Sequence, residues 1–201
     1  MTVPVDRDRL RRTTAPHLLC ERARTIPDSV AFRSKHFGIY RERRWRDYAA
    51  LVAHAARALQ DLGIARGERV AIMGDVCEEW MICDLAAQSL GAITYGIYPT
   101  AAPAEVEYQM RDGGACVFIA EDQEYVDKIL PMTDRLPDLR AIVVLDDSAM
   151  FGYTHEKLRR FSDLLAAVEQ PDLVWLEKRL AELSPADPAF IVYTSGTTGH
   201  P

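Results

Sequence analysis

Four short apolar runs constrain this chain more than any other feature. Residues 70–73, 92–98, 115–120 and 141–145 begin 22, 23 and 26 residues apart. Those intervals are too long for hairpins and suit a strand, a crossover helix and the next strand. Helical patterns fill the gaps at 78–90, 103–112 and 122–136. Each is closed by residues that resist helix: Gly91, Gly113 with Gly114, and Pro137. No Asn-Gly turn interrupts the series. The pattern predicts an α/β fold, a parallel sheet with flanking helices over about residues 68–146.

Ahead of the sheet, residues 47–62 place Tyr48, Leu51, Val52, Ala55, Leu59 and Leu62 on one stripe, with Asp47, His54, Arg57 and Asp61 away from it. This is an amphipathic helix, with an anion in its first turn and Gly63 at its left-handed end. His54 is expected at the surface rather than in a catalytic role. A small strand pair is expected near 30–46. Residues 146–159 read as a loop, and 161–170 as a short helix with Ser162 as its candidate cap. The nearly unbroken apolar run at 189–194 predicts a buried strand.

The 201 residues, 48% hydrophobic and 27% charged, are ordinary for a globular protein. No apolar run approaches the roughly 20 residues of a bilayer span, and the first sixteen residues lack a signal-like apolar core, so a cytoplasmic location is expected. Cys20, Cys77, Cys83 and Cys116 form no CxxC pair and no metal spacing, so they are expected to be reduced thiols, with no metal site. Residues 1–46 hold 12 Lys and Arg against 5 Asp and Glu. Arg7, Arg9, Arg11, Arg12, Arg41, Arg43, Arg44 and Arg46 suggest either an anion-binding patch or a solvated surface. Interspersed acids and the lack of a nucleic-acid-type aromatic pattern favour the second, with residues 1–19 a flexible basic leader and no nucleic-acid partner. The acidic run Glu121, Asp122, Gln123 and Glu124 stands at a helix start, where negative charge is favoured without any cation.

The most informative stretch is Tyr193-Thr194-Ser195-Gly196-Thr197-Thr198-Gly199-His200-Pro201. Small residues let the backbone approach an anion closely, glycines let successive N–H groups converge, and hydroxyls add donors, so the loop suits polyphosphate. It is neither the GxxxxGK[ST] loop of kinases and GTPases nor GxGxxG, both of which are absent. It closely resembles the signature loop of the adenylate-forming family, which includes acyl-CoA synthetases, luciferases and peptide-synthetase adenylation domains. Upstream, Gly67-Glu68-Arg69-Val70-Ala71-Ile72, Glu79-Trp80, Gly91-Ala92 and Gly96-Ile97-Tyr98-Pro99-Thr100 resemble the long-chain fatty acyl-CoA synthetase branch in order and spacing. Trp80 reads equally as core, and Tyr98, Pro99 and Thr100 more readily as a structural turn than as direct ligand contacts.

The resemblance implies that residues 20–201 are an incomplete N-terminal portion of the large adenylate-forming domain, ending inside the phosphate-binding loop. Thr194, Ser195, Gly196, Thr197, Thr198 and Gly199 would contact the β- and γ-phosphates of ATP. It further implies a fatty acid substrate, Mg²⁺, coenzyme A as acceptor and peripheral contact with the inner membrane face as an option. No catalytic side chain would lie within these residues, and the 201-residue chain alone would be inactive. An acyl-AMP ligase with another acceptor and a non-catalytic truncated relic are the alternatives.

Overall fold

The computed structural model describes residues 6–194. In chain order the elements are α1 (Arg7–Leu10), α2 (Ala15–Thr25), β1 (Val30–His36), β2 (Ile39–Arg44), α3 (Trp45–Asp61), β3 (Arg69–Met73), α4 (Glu78–Ser89), β4 (Ile93–Ile97), α5 (Pro103–Gly113), β5 (Ala115–Ala120), α6 (Gln123–Ile129) with a 3₁₀ turn (Leu130–Arg135), β6 (Ala141–Val144), β7 (Leu158–Arg160), α7 (Phe161–Ala166) and α8 (Leu173–Leu180).

The expected sheet is present. Its order is β4-β3-β5-β6-β7 and every pairing is parallel. Counted from β3, the chain first steps outward to β4 and then crosses back over β3 to β5, so its direction of winding reverses between β3 and β5. Ligands of open parallel sheets gather outside the carboxyl ends of the strands near such a reversal.

Side chains alternate between two cores. Val70, Ile72, Val117, Ile119 and Val143 face α2, α3, α4, α7 and α8, whereas Ala71, Met73, Phe118, Ala120, Ile142 and Val144 face α5 and α6. All six residues of β5 are buried, which explains why its sequence shows no polar alternation. The stripe predicted for α3 holds. Val52, Ala55 and Leu59 are fully buried, each larger side chain contributing about 1.5–3 kcal/mol relative to exposure.

Several expectations need correction. The leader expected over 1–19 overlaps α2, which begins at Ala15 and buries Pro16 and Leu19. His54 is not surface filler: its Nε2 lies 3.0 Å from the carbonyl oxygen of Leu165, so a polar atom off the apolar stripe ties α3 to α7. Arg160, not Ser162, occupies the cap position of α7. Ser162 lies inside that helix with its hydroxyl 3.5 Å from an Asp147 carboxylate oxygen. The loop expected to run through 159 ends earlier, because residues 158–160 pair with β6 as β7.

The largest departure is at 189–194, which is not a buried strand. It meets the sheet through a single parallel bridge between Phe190 and Thr94, and Phe190 and Val192 are exposed. An apolar run at a sheet edge has one covered side only, and Ile191 and Tyr193 supply it here.

Candidate functional site

Segment 189–194 nevertheless has a defined course. Thr94 N–H donates to the Ala189 carbonyl at 3.1 Å, and Ile191 N–H donates to the Thr94 carbonyl at 2.8 Å. These bonds lay the segment beside β4 in the same direction, so it leaves the sheet where the other strands leave it. Two residues further, the Tyr193 hydroxyl donates to Asp112 at 2.9 Å and the Tyr193 ring meets the Tyr95 ring edge-on at 5.6 Å. Burial, reinforced by the neighbouring Asp112 carboxylate, pushes the Tyr193 phenol well above its ordinary value, so it stays a neutral donor.

Thr194 follows this anchor directly and is exposed. Of the predicted phosphate-contacting residues it alone is described; Ser195, Gly196, Thr197, Thr198 and Gly199 lie outside the described residues. Ile191, Val192 and Tyr193 form one wall of a cleft of about 270 Å³, completed by Gly74, Val76, Trp80, Gly96, Ile97, Tyr98 and Pro99. The cleft therefore opens at the carboxyl ends of β3 and β4, the strand ends where ligands of open parallel sheets gather, one strand aside from the reversal between β3 and β5.

Small residues shape this cleft. Gly96 leaves room for the Trp80 ring, which stands 3.4 Å from where a Cβ would be. Gly74, at φ +146, lies so close to Glu121 that a Cβ there would sit 2.3 Å from the Glu121 Cβ. Glu121 itself closes the gap between β3 and β5 by accepting the Asp75 N–H at 2.6 Å, and burial raises its carboxyl above the ordinary value. The run 121–124 thus serves as a strap and a helix cap, with Asp122 accepting from the Glu124 N–H.

Tyr98, Pro99 and Thr100 form a turn, as expected, closed by Ala101 N–H donating to the Tyr98 carbonyl at 2.9 Å. Lys128 Nζ fixes that turn by donating to the Pro99 carbonyl at 2.7 Å. Neither Lys128 nor Glu121 was identifiable as a support of the site beforehand, because each acts through a backbone group distant in sequence. Trp80, read equally as core, is half-buried against the helical layer and also lines the cleft. Cys20, Cys83 and Cys116 are buried free thiols, and Cys77 is a half-buried one.

The family model described as AMP-binding enzyme matches residues 19–201. A long-chain-fatty-acid–CoA ligase of Mycobacterium bovis is 31% identical over 184 residues, covering 92% of this chain and 29% of the relative. Another, from Xenopus laevis, is 28% identical over 94% of this chain and 25% of its own length. Among solved structures, an anthranilate CoA ligase in complex with anthranoyl-AMP shares 27% identity at a TM-score of 0.68, over 94% of this chain and 32% of that one. An acetoacetyl-CoA synthetase of Streptomyces lividans superposes with a TM-score of 0.75 at 20% identity, covering 92% of this chain and 29% of that one, which speaks for the fold alone. The chain thus spans between a quarter and a third of the length of these relatives.

Proposed function

Because the chain belongs to the AMP-binding enzyme family, we propose that it is the N-terminal part of an ATP-dependent ligase that activates a long-chain fatty acid and transfers it to coenzyme A. The observation that supports this reading is the parallel course of 189–194 beside β4, which puts Ile191, Val192 and Tyr193, the residues just ahead of Thr194, in the wall of the cleft at the strand ends. The named activities of the relatives from Mycobacterium bovis and Xenopus laevis support the substrate class.

In the proposed reaction a carboxylate oxygen attacks the α-phosphorus of ATP, and the bond to pyrophosphate breaks. The coenzyme A thiol, giving up its proton, then attacks the acyl carbon of the adenylate, and AMP leaves. Mg²⁺ bound to ATP supplies charge neutralisation for the departing pyrophosphate. Among the described residues no three His, Cys, Asp or Glu side chains converge as a cation site, and no ligand for the ion is assigned there.

The work of the chain's own residues is positioning. Thr194 presents a hydroxyl donor to phosphate oxygens. Tyr193, held by Asp112 and stacked edge-on against Tyr95, fixes where that donor begins. Val76, Trp80 and Ile97 give one side of the cleft an apolar lining. Preorganised donors of this kind act where charge develops, and losing one typically costs 10²–10³ in rate.

The test is pyrophosphate release and thioester formation by the full-length protein with ATP, a long-chain fatty acid and coenzyme A. Both are expected, and Thr194→Ala should lower kcat/KM by about a hundredfold to a thousandfold. Fatty-acid-dependent AMP formation with a carrier protein, but not with coenzyme A, would reject the acceptor. Turnover by the isolated 201-residue chain would contradict the assignment of so much of the chemistry to the remainder.

A further inference from the structure

The tip of the β1–β2 hairpin is built in a way that folding does not require. His36 pairs with Ile39, leaving Phe37 and Gly38 as a two-residue turn at φ +47 and +80. Both φ values are positive, the arrangement that favours Asn-Gly and disfavours a bulky side chain at its first position. Here that position holds phenylalanine, 93% exposed, followed by Ile39 at 70% and Tyr40 at 66%. A positive-φ turn that carries three large, mostly exposed apolar side chains at its tip points to a use outside the fold.

The charges behind the tip are one-sided. Residues 30–46 contain six Lys and Arg and one Glu. Arg33 pairs with Glu42, Arg43 with Glu78, and Arg44 and Arg46 with Asp28. Nearest the tip, Lys35 sits over the Tyr40 ring at 5.9 Å, and Arg41 makes no ion pair among the described residues. An apolar aromatic wedge backed by cations is the chemistry of an anionic bilayer surface: rings enter the headgroup region while the cations meet lipid phosphates. One weak signal gives only marginal attachment and stable attachment takes two together; the hairpin carries an apolar one and a cationic one.

We propose that Phe37, Ile39 and Tyr40 insert into an anionic membrane surface, with Lys35 and Arg41 contacting lipid phosphates. The body of the hairpin is tied to the first residue of α4, since Ser34 and Arg43 both donate to Glu78. Glu78 follows the carboxyl end of β3 by a few residues, and Val76 between them lines the cleft. The hairpin thus attaches the cleft end of the sheet to the membrane. The further idea that this places the cleft near membrane-dissolved fatty acid rests on the ligase reading; the attachment itself does not.

The experiment is co-sedimentation of the full-length protein, without ATP or fatty acid, with vesicles of phosphatidylcholine alone or mixed with phosphatidylglycerol. Binding only to the anionic vesicles, weakened by salt, is expected. Phe37→Asn with Ile39→Thr and Tyr40→Thr should reduce partitioning at least about tenfold. Lys35→Gln with Arg41→Gln should reduce it and flatten its salt dependence. Phe37→Asn alone should leave the melting temperature unchanged or higher, because asparagine tolerates the positive φ, so its loss of binding cannot be unfolding. Phe37→Trp should show a blue-shifted emission on anionic vesicles. Equal binding by the tip variant, or self-association of the wild type that the same substitutions abolish without any vesicle binding, overturns the proposal. Neither result depends on whether the protein ligates coenzyme A.

Discussion

Gly74 illustrates how little freedom the cleft leaves to single residues. Its φ of +146 and the 2.3 Å approach to the Glu121 Cβ both exclude a side chain. Gly74→Ala should therefore cost about 2–4 kcal/mol, read as a lowered denaturant midpoint. Tyr193→Phe is milder: it removes the donor to Asp112 but keeps the ring against Tyr95, and about 1 kcal/mol of stability should be lost. In the full-length protein that variant should raise KM for ATP more than it lowers kcat, since only the anchor of the loop is loosened. Residues of this kind were partly legible. Tyr98 and Pro99 stood out by their motif, whereas the importance of Gly74 depends on Glu121, 47 positions away, and no local pattern signals such a meeting.

Whole elements were read more securely where periodicity was long. The stripe of α3 and the spacing of β3, β4, β5 and β6 need only hydrophobic patterning, and they emerge within a residue or two of the expected bounds. Short elements escaped. β7 has three residues with only Leu158 apolar, and α8 went unnoticed although Leu176 and Leu180 are buried. What holds α8 is a contact across the chain: Arg24 donates to Glu177 through Nε at 2.8 Å and through a terminal nitrogen at 2.7 Å. The hydrogen bond from Arg24, with its charge, keeps the Glu177 carboxyl below its ordinary value. A depressed folded value means that the pair's contribution is present above the ordinary carboxylate range and is lost as pH falls through the folded value. Glu177→Gln should thus cost at most about 1 kcal/mol at neutral pH and nothing measurable in acid, a difference that urea unfolding at the two pH values will show.

At the scale of the molecule, stability should be graded from the sheet centre outward. β3 and β5 have neighbours on both edges and helices on both faces, while 189–194 is held to β4 by one bridge. Amide exchange should be slowest at 70–73 and 117–120 and far faster at 191–193, and equal protection would show that the bridge is stronger than its geometry implies. That same bridge has a consequence in time. Thr94 and Phe190 are 96 positions apart, so a ribosome adding residues at the usual pace needs roughly 5–20 s to deliver the second after the first. Helices and strands of the nascent chain settle within microseconds to milliseconds. The outer edge of β4 therefore waits, bare, for its partner. During that interval the Thr94 hydroxyl is already engaged by Asp84, a residue synthesised earlier. The order of manufacture thus makes the seating of Tyr193 and Thr194 a late event, and leaves the growing polypeptide most open to mispairing just before it.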